Sequence, residues 1–286
     1  MSRRYLVGLI GSGVASSLTP ELHMREAEAQ GLTYVYRTID LDSHGLRPES
    51  IGEIVSFART LGFDGLNITY PCKQMVIPYV DVLDARAREL GAVNTVVFGP
   101  HGASGHNTDW SGFSTAFNRG LPEVPREVAV LIGAGGAGAS VGHALLTLGV
   151  RRLMVLDLDP RRARSLVKKL GDVFGTGRCV EGPTDRLPDL AKETDGFVHC
   201  TPMGMADHPG TPFDTGLLEE RHWVADIVYR PLETELVQAA RAAGCRTLDG
   251  GAMAVYQAVD AFELITGRKA DDQRMLGHFA ELVGAG

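Results

Sequence analysis

Short apolar runs of four to six residues recur along the chain, separated by segments whose apolar residues return at helical spacing. Tyr5-Leu-Val-Gly-Leu-Ile reads as a buried strand, and Thr19-Pro20 ahead of Glu21-Leu22-His23 predicts a helix with proline in its first turn. Tyr34 to Ile39, rich in β-branched and aromatic residues, predicts a second strand. Ile51 to Leu61 is helical in period, and Gly65 to Thr69 is a short strand before Pro71. Val76 to Leu90 also reads as helix, with a start delayed by Pro78. Val93 to Phe98 is a strand stopped by Gly99-Pro100, with His101 to Ser104 as a hairpin tip and a helix over Trp110 to Arg119. Leu121-Pro122 and Pro125 interrupt the pattern and mark a boundary. Beyond them come strands at Val128–Ile132, Arg152–Leu156, Gly196–Cys200 and Trp223–Val228, with helices between them, most plainly Glu233 to Ala243. Alternating strands and helices, with helical crossovers between parallel strands, predict an open, doubly wound sheet and α/β architecture in two units. The first is an N-terminal α/β unit and the second a doubly wound one, with the cleft between units as the default site.

Composition narrows the class. The 286 residues are 44% hydrophobic and 22% charged, enough apolar material for two cores. The net charge of -7 argues against a nucleic-acid or anionic-membrane surface, and no apolar run is long enough to span a bilayer. Cys72, Cys179, Cys200 and Cys245 form no CxxC pair, so reduced thiols and a cytoplasmic setting are expected. The nine histidines show no HExxH spacing, so no metal is expected. Glycine is overrepresented at 35 residues, mostly where apolar runs end and the chain must turn.

One glycine cluster carries chemistry. Gly133, Gly135, Gly136, Ala137 and Gly138 fit G-x-G-x-x-G, a weak signal by itself in so glycine-rich a chain. Here a buried strand precedes it, a helix follows it, and Asp157 ends the next strand, 24 residues past Gly133. That context predicts a dinucleotide, its pyrophosphate against the helix N-terminus and its ribose against Asp157. The plainer reading of Asp157 is a cap on the helix beginning at Pro160, which is compatible with a ribose contact. Among Arg161, Arg162 and Arg164, Arg162 is assigned to the adenine side. Other clusters stay ambiguous by themselves. Lys73 past a strand end could be a surface lysine, and Thr108 or Asp109 could merely cap the next helix. The Ser16-Ser17-Leu18-Thr19 hydroxyls could cap a helix or hold a carboxylate, and Met203 and Met205 could pad a nicotinamide or fill a core.

Together these segments resemble the shikimate dehydrogenase family over nearly the whole chain. The motifs are Ser17-x-Thr19-Pro20, Asn67-x-Thr69-x-Pro71-x-Lys73, Gly91-Ala-Val-Asn94-Thr95, Asn107-Thr108-Asp109 and Gly133-Ala-Gly-Gly. Thr201-Pro202-Met203-Gly204-Met205, Asp226-x-x-Tyr229-x-Pro231-x-x-Thr234 and Gly250 through Gln257 to Phe262 continue the match. Within the family the chain looks most like the NAD-using quinate/shikimate dehydrogenases. The resemblance implies a substrate domain over 1–112, completed by C-terminal helices over 252–286, and a Rossmann domain over 113–251. It implies Lys73 and Asp109 as the catalytic pair. It implies Ser17 and Thr19 at the substrate carboxylate, with Thr69, Asn94, Tyr229 and Gln257 as further substrate contacts. Thr201, Pro202, Met203, Met205 and Gly250 then belong to the cofactor side. Two departures stand out, because the family often has serine at the position of Thr19 and an Asn-Ala pair at that of His199-Cys200.

The implied activity is reversible oxidation of quinate or shikimate at a ring hydroxyl, with NAD favoured over NADP. An NADPH-linked reductase of dehydroshikimate or an amino analogue is the alternative. A nucleotide-sensing regulator without activity fits less well, because Lys73 and Asp109 are both present. A monomer or homodimer acting on small molecules is expected.

Overall fold

The computed structural model describes residues 3–182 and 186–284. The chain divides into two compact units, one of residues 1–108 and 255–286, the other of residues 109–254. The Leu121–Pro125 break lies inside the second unit, where Leu121 is fully buried and the Trp223 indole N–H donates to the Pro125 carbonyl at 2.9 Å.

The first unit begins β1 (Arg4–Gly11), α1 (Thr19–Ala29), β2 (Thr33–Asp40), α2 (Ile51–Thr60) and β3 (Gly65–Ile68). Pro20 sits in the first turn of α1, where its missing N–H costs nothing. The expected helix over Val76 to Leu90 is a correction. That stretch contains a 3-10 turn over Ile77–Tyr79, a two-residue strand β4 (Val82–Leu83) and a helix α3 confined to Ala85–Leu90. Asp84 caps α3 by accepting from Ala87 N–H at 2.7 Å. Pro78 blocks the ladder upstream, and the edge of the strand over Gly102–His106 offers the following backbone better partners.

The hairpin of β5 (Thr95–Gly99) and β6 (Gly102–His106) turns at Pro100-His101, so Gly102 to Ser104 are strand rather than tip. The sheet order is β2-β1-β3-β5-β6-β4. It is mixed, not wholly parallel, because β5 runs antiparallel to both β3 and β6. Leu66, Ile68 and Val96 lie at the centre of its core.

The second unit starts with α4 (Asp109–Gly120) and continues through β7 (Val128–Ile132), α5 (Gly136–Thr147), β8 (Arg152–Leu156) and α6 (Pro160–Phe174). After β9 (Cys179–Glu181) and α7 (Leu187–Ala191) come β10 (Gly196–His199), β11 (Trp223–Asp226), α8 (Glu235–Ala242) and β12 (Arg246–Leu248). The order β12-β11-β10-β7-β8-β9 is parallel throughout, as expected of a dinucleotide-binding sheet, and its strand order reverses between β7 and β10.

Helix α9 (Gly250–Thr266) carries the chain back into the first unit, and α10 (Asp272–Gly284) ends it. There α10 is clasped to α1: the buried Glu26 carboxylate accepts from the Arg274 guanidinium at 2.7 and 2.8 Å and from the Asp271 N–H at 3.0 Å.

Candidate active site

In the first unit, the implied substrate residues gather at one end of the sheet. The loop from β1 into α1 carries Ser17, and its Ser12 N–H donates to the Tyr70 carbonyl at 2.9 Å. Thr69 follows β3, with its N–H on the Ile10 carbonyl. Lys73, half-buried, has its carbonyl fixed by the Val93 N–H at 2.8 Å, so the lysine turn and the Asn94 segment are joined backbone to backbone. Ser17 Oγ accepts from the N–H of Thr19, the first residue of α1, at 3.3 Å.

Asp40, at the end of β2, organises this loop. Its carboxylate accepts from Gly13 N–H at 3.3 Å, Ala15 N–H at 3.0 Å and Asp42 N–H at 3.1 Å. Burial opposes the charge, but the converging backbone N–H groups prevail and hold its pKa below the ordinary aspartate value. Sequence reading missed Asp40, because its role is set by the Gly13 and Ala15 amides, which lie more than twenty residues earlier in the chain. Asp40→Asn turns an amide NH2 toward one of these donors. Its expected result is a rise of about tenfold in KM for a carboxylate substrate, the cost of disturbing one charge-assisted bond. Kd for NADH should stay within about twofold, and steady-state kinetics with calorimetry read the two.

Beneath these residues runs a directional chain of buried side chains. Tyr36 O–H donates to Asn67 Oδ1 at 2.7 Å, and Asn67 Nδ2 donates to Thr95 Oγ1 at 3.1 Å. Thr95 donates to Asn94 Oδ1 at 3.1 Å, and Asn94 Nδ2 donates to Thr108 Oγ1 at 2.9 Å. The Thr108 N–H donates back to Asn94 Oδ1 at 2.8 Å, which fixes the carboxamide's orientation. Thr108 is therefore bound to Asn94, and the next residue, Asp109, opens α4 at 7% exposure.

The second unit forms the predicted glycine turn, and three of its glycines have separate reasons. Gly133 sits at φ +103°, and a Cβ there would lie 2.6 Å from the Cys200 carbonyl oxygen. A Cβ on Gly138 would lie 2.0 Å from the Gly133 carbonyl oxygen, so only glycine lets α5 pack this close. Gly135, by contrast, faces open space, with nothing within 4 Å of its would-be Cβ. That combination, with Gly136 and Ala137 opening α5, fits a dinucleotide pyrophosphate approaching the backbone at the helix N-terminus.

Asp157 Oδ2 accepts from Ala134 N–H at 2.8 Å and its Oδ1 from Asp159 N–H at 2.8 Å, tying the glycine turn to the end of β8. It does not cap α6. Asp159 is the cap, accepting from Arg161 N–H, because the residue immediately before Pro160 is the one aimed at the first free amides. Arg161 pairs with Asp159 at 3.0 Å and Arg164 with Glu181 at 3.3 Å, while Arg162 is exposed.

The turn after β10 holds Thr201, Pro202, Met203 and Met205, the two methionines 36% and 43% exposed. Cys200 N–H donates to the Ile132 carbonyl at 2.7 Å, joining this turn to the end of β7, across the point where strand order reverses. Tyr229 follows β11 and is half-buried. Gly250 opens α9, where a Cβ would meet the Ile227 carbonyl oxygen at 2.3 Å, so close packing accounts for this glycine. Gln257 lies on α9, which starts at Gly250 rather than Ala252, and is half-buried.

Among the described residues, no group of three or more His, Cys, Asp or Glu side chains is arranged to hold a metal ion, and no helix is long and apolar enough to cross a membrane. The four cysteines are free and buried.

Known proteins share this sequence and this architecture. The family model for the shikimate dehydrogenase substrate binding domain matches residues 9–96. The shikimate dehydrogenase (NADP(+)) of Streptomyces avermitilis is 58% identical over 280 residues, covering 98% of this chain and 96% of that one. The quinate/shikimate dehydrogenase (NAD(+)) of Corynebacterium efficiens is 48% identical, covering 97% and 98%. The structure of quinate dehydrogenase from Corynebacterium glutamicum in complex with NAD superposes with a TM-score of 0.92 at 46% identity, over 97% of this chain and 99% of that one. With identity this high across almost the full length, the chain belongs to the shikimate dehydrogenase family.

Proposed function

We propose that this protein is an NAD-dependent dehydrogenase of the cytoplasm, a monomer or homodimer, that oxidises quinate and shikimate reversibly at a ring hydroxyl. The first unit is the substrate domain and the second the dinucleotide domain. The observation that carries the reading is the glycine turn, with one face open at Gly135 and with Asp157 locked beside it.

In the reaction a ring C–H bond breaks with both electrons, the hydroxyl proton leaves, and a carbonyl forms. Bound NAD supplies the acceptor for the hydride. Lys73 moves the proton at the reacting oxygen and offsets the charge that develops there, and Asp109 orients the ammonium. Ser17 and Thr19 bind the substrate carboxylate from a loop already held by Asp40. Thr69, Asn94, Tyr229 and Gln257 contact the rest of the substrate, with Asn94 pre-oriented by Thr95 and Thr108. Thr201, Pro202, Met203 and Met205 line the nicotinamide side, and Gly250 permits the adjoining backbone to close up. No metal takes part in this scheme.

The cofactor choice rests on Asp157, whose carboxylate oxygens each keep a further lone pair for the ribose hydroxyls and whose charge repels a 2′-phosphate. Arg162 lies over the adenine side, because its neighbours Arg161 and Arg164 are already paired. NAD should exceed NADP in kcat/KM by at least about tenfold, or roughly 1.4 kcal/mol. Kinetics with each cofactor at saturating quinate check this. Equal efficiency, or an NADP preference surviving Arg162→Ala, would sink the carboxylate argument. It would favour the second reading, an NADP-linked shikimate dehydrogenase, which the name of the Streptomyces avermitilis relative supports.

A further inference from the structure

Where the family often has asparagine, this chain has a fully buried histidine with both ring nitrogens engaged. His199 Nδ1 lies 2.9 Å from Asp226 Oδ1, and its Nε2 is in hydrogen-bond contact with Thr201 Oγ1. Asp226 also accepts from the Val228 N–H at 3.0 Å and from the Thr234 hydroxyl at 2.8 Å. A carboxylate surrounded by donors takes the imidazole N–H as well, which puts the ring proton on Nδ1 and leaves Nε2 an acceptor. The Thr201 hydroxyl therefore donates to Nε2, and its oxygen accepts from the Met203 N–H at 3.2 Å. Both functions of that hydroxyl are directed into the protein. The methyl group lies against the glycine turn: a Cβ built on Gly133 would sit 2.8 Å from Thr201 Cγ2.

We infer that Asp226, His199 and Thr201 form a buried strut that sets the side-chain rotamer of Thr201 and, through the Met203 N–H, the shape of the nicotinamide-side turn. His199 and Asp226 are positioning residues in this scheme. The strut withdraws the hydroxyl, holds the methyl beside Gly133 and leaves the two part-exposed methionines to face the nicotinamide. Without the strut nothing holds the threonine hydroxyl in this staggered position, and it can turn to another. The inference rests on the reading of Thr201 to Met205 as the nicotinamide side of a dinucleotide site.

The test compares two probes on the full chain, NADH and ADP-ribose, the second having no nicotinamide. His199→Phe keeps an aromatic ring of similar volume and removes both nitrogens. It is expected to weaken NADH binding by about tenfold, the size of one lost buried hydrogen bond, and to leave ADP-ribose within about twofold. Thr201→Val keeps the methyl and removes the hydroxyl. It should give the same split, so the inference stays testable if His199→Phe does not fold. The double variant should be no weaker than either single one, because both break the same strut. Equal weakening of NADH and ADP-ribose, no weakening of either, or additive losses would each overturn the strut. Wild-type protein that binds neither probe would overturn the dinucleotide reading itself, a distinct failure.

Discussion

Lys73→Ala should lower kcat for quinate or shikimate oxidation by about 10²–10⁴, the usual share of general acid–base catalysis. The reason is chemical. Transfer of hydride from a carbinol leaves an oxygen that must lose its proton in the same event, and an alanine neither takes that proton nor offsets charge. Lys73 sits on a turn whose backbone is anchored by the Val93 N–H, so truncating its side chain removes the ammonium without releasing the loop. Kd for NADH should be unchanged, because the glycine turn and Asp157 belong to the other unit. Lys73→Arg should not rescue turnover, since a guanidinium stays protonated throughout the working pH range. Stopped-flow or steady-state measurement of NADH formation reads the result, and near-normal turnover in Lys73→Ala would remove this residue from the mechanism.

The second large effect concerns two glycines three residues apart that should fail in different ways. Gly138→Ala places a methyl 2.0 Å from the Gly133 carbonyl oxygen, a contact that only a backbone shift relieves. Overpacking of this kind costs about 1–3 kcal/mol, and the shift also deforms the anion-binding turn. Both thermal stability and NADH affinity should fall. Gly135→Ala is different. Its backbone, at φ −78° and ψ −166°, is extended and suits alanine, and its Cβ meets no atom within 4 Å. Stability should hold, while NADH binding falls by about tenfold or more because the methyl takes the room a pyrophosphate needs. Differential scanning fluorimetry with an NADH titration separates the cases. Wild-type NADH affinity in Gly135→Ala would mean that no phosphate approaches there.

Features with a local cause were legible in the sequence. The strand–glycine–helix unit from Val128 to Thr147 follows from residues adjacent along the chain, and it forms as expected, down to Asp157 beside the turn. The α1 start at Thr19-Pro20 is of the same kind. Features decided by partners distant in sequence were not legible. Val82-Leu83 has helical neighbours and helical period, yet becomes a strand. Its backbone is captured by β6, with the Asp81 and Asp84 N–H groups donating to the Ala103 and Gly105 carbonyls at 2.8 and 3.0 Å. The reversal of β5 depends on the hairpin that β5 and β6 make, not on the composition of β5. Asp40 looks like any strand-end carboxylate until Gly13 and Ala15, more than twenty residues earlier, aim their amides at it. His199 is one apolar-strand residue among several until Asp226 and Thr201 close on its two nitrogens. Periodicity, turns and caps are short-range energies that a few neighbouring residues set. Strand pairing and buried polar networks are long-range, because each group must find its partner wherever the fold brings one, and only the tertiary structure supplies that choice.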